Sequence, residues 1–132
     1  MRYDRGGTGT GSALVSVFDV EELLKEIDPD NPAGNDLEYD PDFIAMESLA
    51  SAGNEQSMIE APTAAETHSA DWQGVKTKAL GLFDRTRDLR VAVYLVRSSL
   101  ACDGLAGFAQ GLLLLRNMLE RFWEQVHPQL DI

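Results

Sequence analysis

The run DLRVAVYLVRSSLACDGLAGFAQGLLLLRNMLERFWEQV, residues 88–126, decides the fold. It reads as two helices joined by a short turn at Asp103 and Gly104, and it holds most of the chain's large apolar side chains. In the first helix, Leu89, Val91, Val93, Tyr94, Leu95, Val96 and Leu100 point to nearly every side, and only Arg90 and Arg97 mark a polar stripe. Such a helix is expected inside a bundle. In the second, Leu105, Phe108, Leu112, Leu115, Leu119, Phe122 and Val126 alternate spacings of three and four, which sets them on one face that needs a partner helix. Trp123 beside them is expected as a core anchor. Gly107 and Gly111, one turn apart, would let another backbone approach this helix closely.

Outward from the hairpin, three earlier helices are announced by aspartates. Asp19, with Glu22 three residues on, opens a helix carrying Val20, Leu23, Leu24 and Ile27, which stops at Asp28 because Pro29 follows. Asp40 followed by Pro41 opens a second, with Phe43, Ile44, Met46, Leu49 and Ala50 on its buried side and an end near Gly53. Asp71 caps a third, whose Trp72, Val75, Ala79, Leu82 and Phe83 recur at three and four. Residues 29–40 are a dense set of turn formers. Residues 54–70 read as a long mobile loop before the third helix, docking through Met58 and Ile59. The expectation is an all-α bundle of about five helices built on the C-terminal hairpin. Its core is expected to include Trp72, Leu89, Val96, Leu112, Leu115, Leu119, Phe122 and Trp123. Residues 1–13 read as a disordered linker or an expression remnant, and 14–132 as one helical domain.

The formal charge of −11 is uneven. Residues 1–70 hold 15 acids against 3 bases, and residues 71–132 hold 7 against 8. A field of that sign repels phosphate backbones and anionic membranes, so nucleic acid and membrane insertion are not expected. There is no secretion signal, and the longest uncharged apolar passage, residues 104–115, falls short of the ~20 residues a membrane span needs. The chain reads as soluble and cytoplasmic. Cys102, the single cysteine, is expected as a small buried side chain.

Candidate chemistries fail on spacing. Asp28, Asp30, Asn31, Asn35, Asp36 and Glu38 offer oxygens for calcium, but an EF-hand register from Asp28 puts Pro32, Ala33 and Tyr39 at required positions. A carboxylate pair for hydrolysis needs fixed separation across a pocket, which 22 scattered acids do not supply. His68, His127 and Cys102 make no metal or nucleophile pattern, Ser98 and Ser99 sit inside an apolar helix, and the glycines of residues 6–11 lack the lysine of a phosphate loop. No catalytic, metal-binding or cofactor-binding residue is assigned. Arg85, Arg87, Arg90 and Arg97 form the one basic concentration, expected to pair with the acidic loop of the same chain.

Pro32-Ala33-Gly34, then Asp36-Leu37-Glu38-Tyr39-Asp40-Pro41 with Phe43, resembles the opening signature of the ImpA-type N-terminal domain of TssA proteins of bacterial type VI secretion systems. Asp71-Trp72 with Val75, Asp88-Leu89-Arg90-Val91-Ala92 with Tyr94 and Leu95, Gly104-Leu105, Gly107, Gly111-Leu112, Phe122-Trp123, Val126-His127-Pro128 and Leu130-Asp131 follow in the family's order. The resemblance implies a non-enzymatic interaction domain that contacts other secretion components in baseplate and tail tube or sheath assembly. It also implies a C-terminal region that oligomerises the full-length protein and lies beyond this chain. Within that picture Asp36, Glu38, Tyr39, Asp40, Asp42, Met58 and Ile59 are the expected protein-binding residues. Two other readings stay open: a homodimerisation module using the last helix, and a bundle that binds or hydrolyses a ligand with loop carboxylates facing Arg87 or His127.

Overall fold

The computed structural model describes residues 18–59 and 70–129, and for residues 52–59 the backbone alone. The expected linker at 1–13 and the stretch 60–69 of the expected loop lie outside the described residues. Among the described residues four helices follow in order: α1 (Val20–Leu23), α2 (Pro41–Ile59), α3 (Trp72–Phe83) and α4 (Leu89–Arg121). The fold is all-α, and the described residues outside the helices include only isolated bridges, among them Gly34 with Thr86 and Asp88 with His127.

The long α4 breaks at Gly104, where φ is 67° and ψ −153°, a conformation open to glycine and costly for other residues. The arms on either side then run antiparallel. A Cβ on Gly107 would lie 2.5 Å from the Ser99 carbonyl oxygen, and one on Gly111 would lie 3.0 Å from the Val96 Cα, so later residues meet earlier ones. With the reversal, α4 provides the expected hairpin and brings the helical segments to five. By length and composition α4 could cross a membrane. Folded back at Gly104, its arms are about 22 and 25 Å long, below the ~30 Å of a bilayer core.

The first three aspartate caps form as expected. Asp19 accepts from the Glu21 and Glu22 amides, Asp40 Oδ1 from the Asp42 amide at 2.9 Å, and Asp71 from the Gly74 amide at 3.0 Å. Two helix lengths differ from expectation. The first helix is a single turn, because the Ile27 amide, which would continue it by donating to Leu23 O, donates to Pro32 O at 2.8 Å instead. The Arg87 guanidinium takes the Lys25 carbonyl at 2.6 and 3.0 Å. The second helix passes through Gly53 and continues to Ile59, since one glycine among helix-forming neighbours lowers propensity without ending the helix. Met58 and Ile59 therefore belong to its last turns, and their side chains lie outside the described residues.

The core is sandwiched around α3, which packs on α2 and on α4. Phe43 and Met46 of α2, Val75, Ala79, Leu82 and Phe83 of α3, and Val91, Leu95, Leu114 and Met118 of α4 are fully enclosed. In the second arm the buried stripe is Gly107, Gly111, Leu114, Met118 and Phe122. Its first four members each sit one residue before the expected Phe108, Leu112, Leu115 and Leu119, a rotation of about 100°. The glycines cause it: the arms approach until backbone meets backbone, which only a Cβ-free face permits. Leu112 and Leu119, expected in the core, are turned outward by that rotation, and Leu105 with them, while Trp123, also expected there, is exposed just past the helix end at Arg121. Leu115 and Phe108 flank the seam half-buried, while Phe122, Val126 and Val96 are buried and Trp72 and Leu89 partly so. The first arm is enclosed on one side only, leaving Val93 and Leu100 nearly half exposed. Cys102, near the tip, is exposed where a buried thiol was expected, because among the described residues nothing packs over it at the reversal.

Candidate protein-binding surface

The acidic loop is fastened to the chain between α3 and α4. At Gly34, φ is 72° and a Cβ would lie 2.2 Å from the Arg85 carbonyl oxygen, so glycine is required on both counts. Thr86, fully buried, donates its hydroxyl to the Asn35 and Ala33 carbonyls at 2.7 and 3.2 Å, and the Arg87 amide donates to Ala33 O at 2.7 Å. His127 closes the other side: its Nε2 donates to Gly34 O at 2.8 Å, while its backbone exchanges bonds with Arg87 and Leu89.

Each acid of residues 36–42 then meets a cation. Arg85 holds Asp40 through two contacts of 2.8 and 3.2 Å and reaches Asp42 at 3.2 Å, and Lys78 reaches Asp42 at 3.0 Å. Arg90 holds Asp36 at 2.9 Å, Glu38 at 3.5 Å and the enclosed carboxylate of Asp88 at 2.8 and 3.1 Å, with its guanidinium 5.2 Å over the Phe43 ring. The Arg85 bonds, with the Asp42 amide second, keep the Asp40 carboxyl below its ordinary range. Reciprocally, Asp40 raises Arg85, and Asp88 ahead of Asp36 raises Arg90. The expected pairing of the arginine group with the acidic loop is thus present for Arg85 and Arg90.

The other two arginines do different work. Arg87 is buried with its donors on the main-chain oxygens of Lys25, Phe83 and Thr86, and burial pulls its pKa down to about 10. Arg97 lies 5.0 Å over the Trp72 ring and 5.5 Å over Tyr94. The carboxylates of residues 36–42 do not face Arg87 across a pocket. A pocket of about 190 Å³ beside Arg87 is lined instead by Glu22, Lys25, Glu26, Asp84 and their apolar neighbours. Among the described residues no group of three or more metal-ligating side chains gathers.

Among the described residues, the most exposed large apolar side chains fall in two places. Tyr39, between the two arginine-held segments of the loop, is 85% exposed. On the second arm Leu105 is 79% exposed, and Trp123, just past the helix end, is 64% exposed, with Leu112, Leu113 and Leu119 between them. Of the expected binding residues, Asp36, Glu38, Asp40 and Asp42 come together but are occupied by cations, and Tyr39 is free. The hairpin face was expected in the core, its spacing being that of a buried helix, and as a surface only in the homodimerisation alternative. The Gly107 and Gly111 pair was the available signal that another face turns inward.

Residues 24–132 match the family described as ImpA, N-terminal, type VI secretion system. The chain belongs to this ImpA N-terminal family. Over 115 residues, 87% of its length, it is 44% identical to type VI secretion system component TssA1 of Pseudomonas aeruginosa, and it spans about a third (33%) of that relative. A solved structure aligns with a TM-score of 0.71 and 29% identity over 92% of this chain and 44% of the other. That structure is the N-terminal domain, including the conserved ImpA_N region, of the TssA component of the type VI secretion system from Burkholderia cenocepacia. The resemblance carried by residues 32–43 and 88–95 is therefore one of family, and this ImpA N-terminal chain shares the helical fold of that TssA domain.

Proposed function

We propose that the chain is the N-terminal interaction domain of a TssA-like secretion component, one that contacts baseplate, tube or sheath proteins during assembly in the cytoplasm and catalyses no reaction. The observation that carries this reading is the outer face of the α4 second arm, where among the described residues Leu105, Leu112 and Leu119 are exposed along about four helical turns, with exposed Trp123 just past the helix end. Apolar exposure repeated along one helix face supports a protein contact. The seven-residue interval of Leu105, Leu112 and Leu119 suits a helix as the partner element. In the full-length protein, Leu112→Glu with Leu119→Glu should weaken binding to at least one purified baseplate, tube or sheath component more than tenfold, with the helical circular dichroism spectrum unchanged. Wild-type affinity for every component would sink the assignment.

The same heptad interval supports a second reading, self-association of the domain through this face. Light scattering across a hundredfold concentration range separates the two. A mass that stays at one chain removes the dimer and leaves the heterologous contact.

A further inference from the structure

We infer that Tyr39 anchors a second protein-docking site, in which its phenol ring enters an apolar pocket rimmed by lysine or arginine on a partner protein. The loop around it is fixed residue by residue. Asp36 Oδ1 accepts the Glu38 amide at 2.9 Å, the Asp40 amide donates to Leu37 O at 2.9 Å, and Leu37 packs on the core. Arg90 holds the segment before Tyr39 through Asp36 and Glu38, and Arg85 holds the segment after it through both oxygens of Asp40. Within this frame, among the described residues, the Tyr39 ring and hydroxyl touch no partner, and the side chain is 85% exposed.

A single exposed aromatic is common on protein surfaces. Here the backbone that carries it is held by charge pairs on either side, so little backbone order remains to be imposed on binding. A tyrosine has only two side-chain torsions to fix, so burying it costs little further freedom. Tyrosine is also among the residues that dominate interface energies. The rim gives the partner's charge. Glu38 and Asp42 remain about half exposed beside Tyr39, and the site holds five carboxylates, counting Asp88, against Lys78, Arg85 and Arg90. A pocket with a basic rim fits that balance, and phosphate-bearing surfaces do not. The inference is independent of the hairpin face, which lies on another element.

Photo-crosslinking tests it directly. In cells, the full-length protein carrying Tyr39→p-benzoylphenylalanine should give, on illumination, a protein adduct whose joined peptide holds apolar residues flanked by lysine or arginine. Excess wild-type domain should compete the adduct away, and excess Tyr39→Ala domain should not. With the adduct protein purified, Tyr39→Ala should weaken binding about thirtyfold, and affinity should fall as salt rises. The inference is overturned by yields no higher than those of the same probe at exposed Glu124, by adducts to nucleic acid or lipid, or by equal affinity of Tyr39→Ala and wild type. Loss of binding with Leu112→Glu and none with Tyr39→Ala sinks this site and leaves the hairpin reading standing, and the reverse pattern does the opposite.

Discussion

Along residues 36–42 every carboxylate has a cation within 3.5 Å, while among the described residues Leu105 and Leu112 on the outer face of the second α4 arm, and Trp123 just past its end, are exposed. The polar region is occupied and the apolar region is vacant, which inverts the usual division between surface and core. The loop's acids are anchors: they tie residues from before α2 to the junction of α3 and α4 and leave Tyr39 as the free group. The hairpin's leucines are displaced from the core by two glycines, whose small face wins the inward position because it lets the arms touch. Charge therefore sets the domain's shape, and apolar surface is what it offers to others.

That contrast breaks first at Asp88. Its fully enclosed carboxylate takes both the side chain and the amide of Arg90. Asp88→Ala should cost about 3 kcal/mol, the low end for breaking a buried pair because Asp36 and Glu38 still compensate Arg90. Urea denaturation at pH 7 measures it, and a loss below 1 kcal/mol would mean that the polar network does not shape the domain. Next is the glycine seam. Gly107→Ala presses a methyl group against the Ser99 carbonyl and should cost about 1–2 kcal/mol. Gly81→Ala, where a Cβ meets nothing within 4 Å, should stabilise by up to about 1 kcal/mol through helix propensity.

A smaller effect appears only with pH. Asp40 is held below its ordinary value by Arg85, so its contribution is present above the unfolded-state pKa of ~3.9 and fades as pH falls through the lower folded value. The urea midpoints of wild type and Asp40→Asn should differ by a constant amount from pH 7 to 5 and converge below about pH 4. A gap that persists in acid would assign the difference to the helix cap.

These expectations rest on features with very different visibility in the sequence. Aspartates 19, 40 and 71 announced their helices because capping is local, read from a few neighbouring residues. The hairpin turn at Gly104 and the pairing of arginines with the acidic loop were also legible, one from glycine chemistry and the other from charge balance. The inward face of the last helix was not. Leu105, Phe108, Leu112, Leu115 and Leu119 carry the stronger apolar signal, and periodicity ranks faces by apolarity. Packing between two helices ranks them by how closely the backbones approach, where Gly107 and Gly111 prevail. The short α1 was not legible either: the Ile27 amide turns to Pro32 O, and Arg87 reaches Lys25 across the fold from far along the chain.

The smallest stability effects are expected where the functional ones are largest. Removing an aromatic from a core costs about 3–5 kcal/mol, but Trp123 is 64% exposed, so Trp123→Ala should cost under about 1 kcal/mol. Leu112→Glu should do the same, since glutamate suits a helix nearly as well as leucine and would project into solvent. Thermal melts of both variants check this. A loss of 3 kcal/mol at either position would require the second arm to rotate its leucines inward. That rotation would pull Gly111 off Val96 and open the arms, so Gly107→Ala would then become harmless. Melts of Trp123→Ala and Gly107→Ala are therefore coupled: one face of this helix can be buried against the domain, and whichever variant is tolerated identifies the face left for a partner.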